Sequence, residues 1–317
     1  MMEAMSRAQE SPRAINWDWE DVRMFLGAAT SPSLSAAARL LGVGQATVSR
    51  RIASLEERLG YPLFTRSVEG VELTAAGAAL LSAARTMEDG ALAFGSASRG
   101  TANELSGRVR ITAPPGVAVD LLAPFAVELS QRHPNLRLEV LSSVAQLDLS
   151  RGEADIAFRA AAPRHPELFD FAQGSVSLGV YACNAYRTTL PKRPPLASLR
   201  WVGWSSERAG MAPEQWLRSR ISNFDPVFTA DDFLVLQSAV AHGLGAILLP
   251  DVQAKFWPQL ERISLCKEDE RRLPMSPIHI VIARAARHSP RVLAVADFLV
   301  EWTLENAGLV LQRSASV

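Results

Sequence analysis

The residues of this sequence that could contact a partner chemically are concentrated between positions 34 and 55. The only charged residues in that stretch are Arg39, Arg50 and Arg51. Arginine can bind guanine edges through two hydrogen bonds and can neutralise phosphates, and Gln45 could bind adenine in the same bidentate way. The stretch therefore predicts contact with nucleic acid, and the alternative from charge alone is a solvated helix face.

The sequence has no comparable concentration of catalytic or metal-binding residues. Its five histidines lack the spacing of metal ligands, and no G-x-S-x-G motif marks a serine nucleophile. Gly243-Leu244-Gly245 follows a predicted helix and precedes a predicted strand, the reverse of the order in a dinucleotide-binding loop. We therefore expect neither an enzyme nor a bound cofactor or metal. Cys183 and Cys266 have neither metal nor disulfide spacing, and their alternative role is redox sensing.

Composition restricts the class of protein further. The 317 residues are 48% hydrophobic and 21% charged, with a formal net charge of +0, which is typical of a soluble globular chain with several domains. Because the chain is not a polycation, contact with nucleic acid must come from locally placed charge. No apolar run approaches the roughly 20 residues of a membrane span, and residues 1–10 lack the apolar segment of a secretory signal. We expect a cytoplasmic protein with no membrane partner.

Three short helices are predicted to position the arginines. The first covers residues 17–29 and is capped by Asn16 or Asp18, and the second begins after Ser33 and stops at Gly42. The third follows Gly44 and ends at position 60. A recognition helix needs one apolar face against its domain and one polar face toward the DNA groove. The inner face of the third helix carries Val48, Ile52 and Leu55, and its outer face presents Gln45, Ala46, Thr47, Ser49, Arg50 and Ala53.

A small hairpin and a long helix are predicted next. Residues 62–66 and 71–73 read as two strands around a turn that contains Gly70. Residues from Thr74 to near Gly100 form an Ala- and Leu-rich helical pattern. Its apolar stripe would let two copies pack closely, so we expect dimerisation there, with packing on the chain's own C-terminal half as the alternative. The stripe consists of Leu80, Leu81, Ala84, Met87, Ala91 and Leu92.

The C-terminal two thirds of the sequence alternate short apolar strands with helices. This alternation predicts an α/β domain with a mostly parallel sheet. In such folds a ligand lies beyond the carboxyl ends of the strands, so polar residues there are candidate contacts, with simple capping as their alternative role. Pro114 and Pro115 lack two N–H donors at the first of these ends, which weakens the case for a carboxylate ligand. The candidates are Thr112, Pro115, Ser142, Ser143, Arg159, Ser205, Ser206, Thr229 and Asp231.

The whole pattern resembles a family of bacterial regulators, the LysR type. The resemblance is carried by residues 33–52 (SLSAAARLLGVGQATVSRRI), 63–66 (LFTR) and 73–77 (LTAAG), and more weakly by 107–111, 132–134, 152–157 and 243–250. Gly44 departs from the usual capping serine, and Ala46-Thr47 departs from a common Pro-Ala pair. These departures affect the expected base preference and leave the expected docking mode unchanged.

The resemblance implies a multidomain α+β and α/β protein with a winged helix-turn-helix, a long linker helix and a two-lobed effector domain like the periplasmic binding proteins. It implies a flexible tail over residues 1–16, a DNA-binding domain over 17–76, a linker over 77–104 and an effector domain over 105–317. Lobe I would cover about 105–181 and 284–312, and lobe II about 182–283.

The resemblance also implies partners and contacts. The partners would be double-stranded promoter or operator DNA, a small-molecule effector, a second and then a third and fourth copy of the chain in a homotetramer, and RNA polymerase. A soluble small-molecule-binding protein is the alternative, but it has no use for residues 17–76. The implied DNA contacts are Ser35, Gln45, Ala46, Thr47, Ser49, Arg50, Arg51 and, on the wing, Arg66.

Overall fold

The computed structural model describes residues 17–67, 70–98, 105–143, 149, 153–165, 168–208 and 210–314. The chain divides into two units, Met1–Ala97 and Ser98–Val317. The tail expected over residues 1–16 lies outside the described residues. Within the described part of the chain, no helix combines the length and apolar character that a membrane span needs.

The first unit contains three short helices, a two-stranded hairpin and a long helix. Their bounds are α1 (Trp19–Ala29), α2 (Leu34–Leu41), α3 (Gln45–Leu59), β1 (Phe64–Ser67), β2 (Gly70–Leu73) and α4 (Ala75–Ser98). Local signals set these bounds, because Asp18 caps α1 in a capping box with Asp21, and Ser33 caps α2 through its hydroxyl. The helices α2 and α3 end at Gly42 and Gly60, whose φ angles of 69° and 82° favour glycine.

The predicted inner face of α3 is buried. Val48 and Ile52 pack with Met24 of α1, and Leu55 packs in a neighbouring cluster with Phe25. Burial of this face fixes which side of the helix remains available to a partner.

We expected the whole apolar stripe of α4 to lie in a dimer interface, but part of it has a different role. Leu81 and Ala84 are buried in the core of the first unit, and Leu80 and Met87 pack against the same core. Burial of Leu81 and Ala84 in their own unit corrects their assignment to a dimer interface, whereas a role there for the half-buried Leu80 and Met87 stays a prediction. Farther along α4, Phe94 is 78% exposed.

The second unit contains eighteen named elements among the described residues. They are β3 (Gly107–Ala113), α5 (Pro115–Val117), α6 (Ala123–Arg132), β4 (Leu136–Ser142), β5 (Ile156–Arg159), β6 (Leu168–Cys183), α7 (Asn184–Arg187), β7 (Val202–Trp204), α8 (Ala212–Arg220), β8 (Phe228–Ala230), α9 (Phe233–Ala241), β9 (Ile247–Pro250), α10 (Asp251–Ala254), β10 (Leu260–Arg262), α11 (Lys267–Glu270), β11 (Met275–Ala283), α12 (Pro290–Trp302) and β12 (Leu311–Arg313). A π-helical stretch, Ala118–Leu122, joins α5 to α6.

The main sheet of this unit is mixed, so the expectation of a mostly parallel sheet is wrong. Its order is β10-β6-β11-β5-β3-β4, with β9 and β12 also paired to β6. Among its described strands, only β3 pairs in parallel, with β4 and β5. The sequence pattern showed only the apolar end of β6 (178–181), whereas the strand begins at Leu168, and its residues 168–177 pair antiparallel with β11. A separate parallel pair joins β7 and β8.

Separate apolar cores underlie the two lobes. One contains Ile111, Phe125 and Trp302, beneath the edge formed by β3 and β4. Others contain Trp201 and Val202, next to the β7–β8 pair. Strand β6 extends through both lobes, because it pairs with β11 in one and with β9 and β10 in the other.

Candidate nucleic-acid interface and ligand cleft

The outer face of α3 presents polar and small side chains to solvent. Gln45, Ala46 and Arg50 are exposed, and Thr47 and Ser49 are half-buried. Gly44 at the start of the helix supplies no side-chain cap, as expected from its place in the motif. With the opposite face buried, this surface can enter a major groove and reach base edges through Gln45 and Arg50. Ser35, a further candidate, is half-buried in the first turn of α2.

Arg51 has partners within its own unit, a feature that its sequence position did not reveal. Its Nη1 atom lies 3.0 Å from an Asp21 oxygen and 3.3 Å from an Asp18 oxygen. Asp21 is only 3% exposed and also binds Arg58 at 2.6 Å. The hydrogen bond to Asp21 raises the pKa of Arg51. Arg51 thus attaches the recognition helix to α1, and the expected direct contact with DNA stays a prediction.

The backbone at the start of the hairpin contacts both α3 and α4. The Glu56 carboxylate accepts hydrogen bonds from the amides of Leu63 and Phe64 at 2.6 and 3.0 Å. A Cβ atom at Gly77 would lie 2.2 Å from the Leu63 carbonyl oxygen, so only glycine lets α4 begin this close to the hairpin. Arg66 lies on β1, but its side chain is outside the described part of the structure. The hairpin therefore has a fixed position beside the recognition helix.

Four ligand-contact candidates meet at the carboxyl ends of β3 and β4. Ala113 pairs with Ser142 across the two strands, and the Ser143 amide donates to the Ala113 carbonyl at 3.0 Å. Thr112 is 1% exposed, and its hydroxyl has no hydrogen-bond partner among the described residues. Pro115 opens α5 directly above this edge.

Arg159 ends β5 on the same side of the sheet. Its strand pairs in parallel with β3, where Thr112 aligns with Ala157. Arg159 is half-buried, and this burial lowers the pKa of its guanidinium group. It therefore lies next to the edge formed by Thr112 and Ser142.

The remaining candidates lie at the ends of β7 and β8 in the second lobe. The Ser205 amide donates to the Ala230 carbonyl at 3.0 Å, which joins the two strand ends. Ser206, Thr229 and Asp231 are exposed around this point. The Ser205 hydroxyl oxygen is buried and, among the described residues, has no hydrogen-bond partner.

Contacts around Gly116 bring the two groups of strand ends together. A Cβ atom at Gly116 in α5 would lie 2.4 Å from Phe233 of α9 and 2.3 Å from the Gln253 amide nitrogen. Nearby, Asp120 accepts hydrogen bonds from Gln253 Nε2 at 3.3 Å and Trp257 Nε1 at 3.0 Å. Burial raises the pKa of Asp120 to about 6. These contacts bring the segment that follows β3 next to the start of α9, which follows β8.

Sequence reasoning missed several residues on the elements that follow these strand ends. Phe233 stacks against Trp204 with ring centroids 6.2 Å apart, and Gln237 follows one helical turn later. Gln237 stands as a polar residue in the otherwise apolar run Phe233–Leu236 and Ala239–Ala241, a signal that could have identified it. Asp120 carried no such signal, because its partners are more than 130 positions away.

The described residues contain no cluster of three or more histidine, cysteine or acidic side chains that could hold a metal ion. Cys183 is buried and Cys266 is half-buried. The Cys266 thiol donates to an Asp269 oxygen at 3.2 Å.

Comparison with known proteins covers both units of the chain. Residues 19–78 match the bacterial regulatory helix-turn-helix proteins of the lysR family, and residues 102–304 match the LysR substrate binding domain. An HTH-type transcriptional regulator from Xanthomonas campestris pv. campestris is 29% identical over 302 residues, covering 89% of this chain and 85% of the relative. The regulator IlvY from Escherichia coli K12 is 25% identical, covering 87% and 97%.

Solved structures show the same fold. A full-length OxyR variant from Pseudomonas aeruginosa superposes with a TM-score of 0.70 at 17% identity, covering 91% of this chain and 95% of that one. Full-length LysG from Corynebacterium glutamicum, solved with bound effector Arg, gives 0.62 at 17% identity, covering 93% and 99%. Both sequence matches and both folds extend over the two units described above. The chain belongs to the LysR family of bacterial transcriptional regulators.

Proposed function

We propose that this regulator binds promoter or operator DNA in a sequence-specific way and that a small molecule in the cleft of the second unit changes this binding. The observation that carries the proposal is the outer face of α3, where Gln45 and Arg50 are exposed beside a fixed hairpin. Ser35, Ala46, Thr47 and Ser49 complete the proposed surface, and Arg66 would reach the neighbouring phosphates. The proposed domain bounds are residues 17–76, 77–104 and 105–317.

The effector site would lie between the strand ends of the two lobes. Buried hydroxyl groups at Thr112 and Ser205 support this location, because a buried polar atom without a partner costs free energy unless a ligand or water binds it. Arg159, Ser142 and Ser143 would border the first lobe's side, and Ser206, Thr229 and Asp231 the second's. A structural relative, LysG, binds the effector Arg, which supports small-molecule binding without identifying the ligand here. We propose binding without catalysis, in the cytoplasm.

Assembly would proceed through the exposed end of α4. Phe94 is 78% exposed and Leu92 is 36% exposed, and large apolar side chains on one helix are typical of an interface. A dimer would read two half-sites, and two dimers would form a tetramer whose DNA geometry changes with effector binding. RNA polymerase would then be a further partner at regulated promoters.

Genome-wide mapping of DNA bound by the full chain tests this proposal, followed by affinity measurements on the enriched fragments with and without metabolites. We expect discrete promoter sites and a metabolite that changes the affinity. A uniform distribution over the genome would contradict sequence-specific regulation. A response to peroxide alone, lost in a Cys183→Ser/Cys266→Ser variant, would contradict small-molecule sensing.

A further inference from the structure

Asp21 of α1 is the point at which charged hydrogen bonds hold the recognition helix α3. Arg51 donates to its Oδ1 atom at 3.0 Å, and Arg58 donates to its Oδ2 atom at 2.6 Å. The Oδ2 atom also accepts the Asp18 amide at 3.2 Å, and Asp18 accepts the Asp21 amide at 2.9 Å in the capping box. Asp21 is only 3% exposed. Both of its oxygens are therefore held in place by the start of α1 as well as by the two arginines.

These contacts act on the rotation of α3 about its own axis. Arg51 and Arg58 are seven residues apart and therefore lie on the same side of the helix, two turns from each other. Arg50 lies about 100° around the helix from Arg51 and is exposed. The apolar contacts of Val48 and Ile52 are not directional and tolerate small rotations, whereas hydrogen bonds of fixed length do not.

A small rotation of α3 would displace the side chains that read bases. An α-helix with its side chains has a radius of about 5 to 6 Å, so a rotation of about 10° moves their tips by about 1 Å. A bidentate contact from Arg50 to a base edge needs donor–acceptor distances of about 2.7 to 3.2 Å and would not survive this displacement. Attraction to phosphates would survive it, because Coulomb energy falls gradually with distance.

From these contacts we infer that Arg51 is a positioning residue, which sets the base contacts of Arg50 and itself contacts neither bases nor phosphates. Its Nη1 atom is bound to Asp21 and Asp18, so a DNA contact through this atom would require both ion pairs to break. Arg58 acts with Arg51 through the other oxygen of Asp21. The inference rests on the proposed DNA reading by α3, and it replaces the direct DNA contact that the position of Arg51 in the motif predicts.

Fluorescence anisotropy of the full chain on a genome-mapped site and on random DNA, at several salt concentrations, tests this role. Arg51→Gln removes the charge that pairs with Asp21 and keeps a long polar side chain. We expect it to weaken binding to the mapped site by at least about fivefold and binding to random DNA by less than about twofold. The salt dependence should stay unchanged. A phosphate contact would instead weaken both DNAs alike and reduce the slope of log affinity against log salt by about 1.

The double variant Arg50→Ala/Arg51→Gln tests whether Arg51 acts through Arg50. If it does, the Arg51 substitution loses most of its effect once Arg50 is absent, so the two losses are not additive. Arg58→Gln should show the same pattern as Arg51→Gln, because Arg58 binds the other Asp21 oxygen. Arg51→Lys should restore part of the mapped-site affinity, since an ammonium group can still pair with Asp21.

Arg23→Gln is the matched control, because Arg23 pairs with Glu20 on the surface of α1, and it should leave both affinities unchanged. Equal losses on both DNAs, a reduced salt slope in Arg51→Gln, or additive losses in the double variant would overturn the inference. A lower melting temperature of Arg51→Gln with an unchanged preference for the mapped site would also overturn it, because the ion pair would then be purely structural.

Two further outcomes are separable from these. If Arg51→Gln does not fold, Arg51→Lys and Arg58→Gln provide the same comparison of mapped and random DNA. A wild type that binds all DNA alike would contradict the proposed function itself. Variants that fail the expectations above, in a wild type that prefers the mapped site, would contradict the positioning role of Arg51 alone.

Discussion

Replacement of Asp21 by asparagine should loosen the recognition helix. Asp21 is 3% exposed and binds Arg51 and Arg58 at 3.0 and 2.6 Å. A hydrogen bond to a charged group contributes about 1.5–3 kcal/mol, but the arginine side chains are 41% and 30% exposed and can be rehydrated. We therefore expect the first unit to lose about 1–3 kcal/mol of its free energy of unfolding.

Hydrogen exchange of the full chain, measured by mass spectrometry, detects this loss of stability, because peptides from α1 to α3 report on the first unit alone. Exchange of the slowest amides in these peptides should accelerate about fivefold or more. Glu20→Gln is the control, since Glu20 pairs with Arg23 on the surface of the same helix and should change stability by only about 0.5 kcal/mol. Unchanged exchange in Asp21→Asn, or equal effects of both substitutions, would refute the structural role of this ion-pair cluster.

Three further predictions concern other parts of the chain. Gly77→Ala should destabilise the first unit by about 1–3 kcal/mol in urea unfolding, because the new Cβ atom meets the Leu63 carbonyl. Gly90→Ala is the control and should stabilise α4 by about 0.5 kcal/mol, because a Cβ atom there meets nothing within 4 Å. Equal effects of the two substitutions would contradict this reasoning. The pKa of Asp120 is raised to about 6, so the protonated side chain stabilises the fold at low pH and this stabilisation is lost as the pH rises from about 4 through 6. The melting temperature of the second unit should therefore fall over this pH window. Asp120→Asn should remove the part of the fall that Asp120 causes. Phe94→Asp should weaken dimerisation in sedimentation experiments without unfolding the chain, and unchanged assembly would place the interface elsewhere.

The sequence predicted the first unit well because its signals are local. The cap residues Asp18 and Ser33 and the terminal glycines Gly42 and Gly60 act within a few positions, so helix bounds followed from them directly. The role of Arg51 did not follow, since Asp21 lies thirty positions earlier and its pairing depends on how α1 packs on α3. That packing places Asp18 and Asp21 beside Arg51, which forms ion pairs with them, and it leaves the neighbouring Arg50 exposed.

The second unit was less predictable because its key contacts are distant in sequence. The first half of β6 begins with Leu168, Phe169 and Phe171 but continues through Gln173-Gly174-Ser175, which is not typical of a strand, so pairing with β11 decides its conformation more than its own pattern does. The strand-end candidates were found from a general rule about α/β folds. The partners of Asp120 and the neighbours of Gln237 depend on how the two lobes meet, which no local pattern contains.

The most direct test of the account is the affinity of the full chain for a mapped site and for random DNA, measured by fluorescence anisotropy in the wild type and in Arg50→Ala. Arg193→Ala, at an exposed position of the second unit, is the control and should bind both DNAs as the wild type does. If the outer face of α3 reads base edges, Arg50→Ala loses about 1–3 kcal/mol on the mapped site and much less on random DNA. Equal losses on both DNAs, or no loss on either, would contradict the claim that this helix reads the sequence.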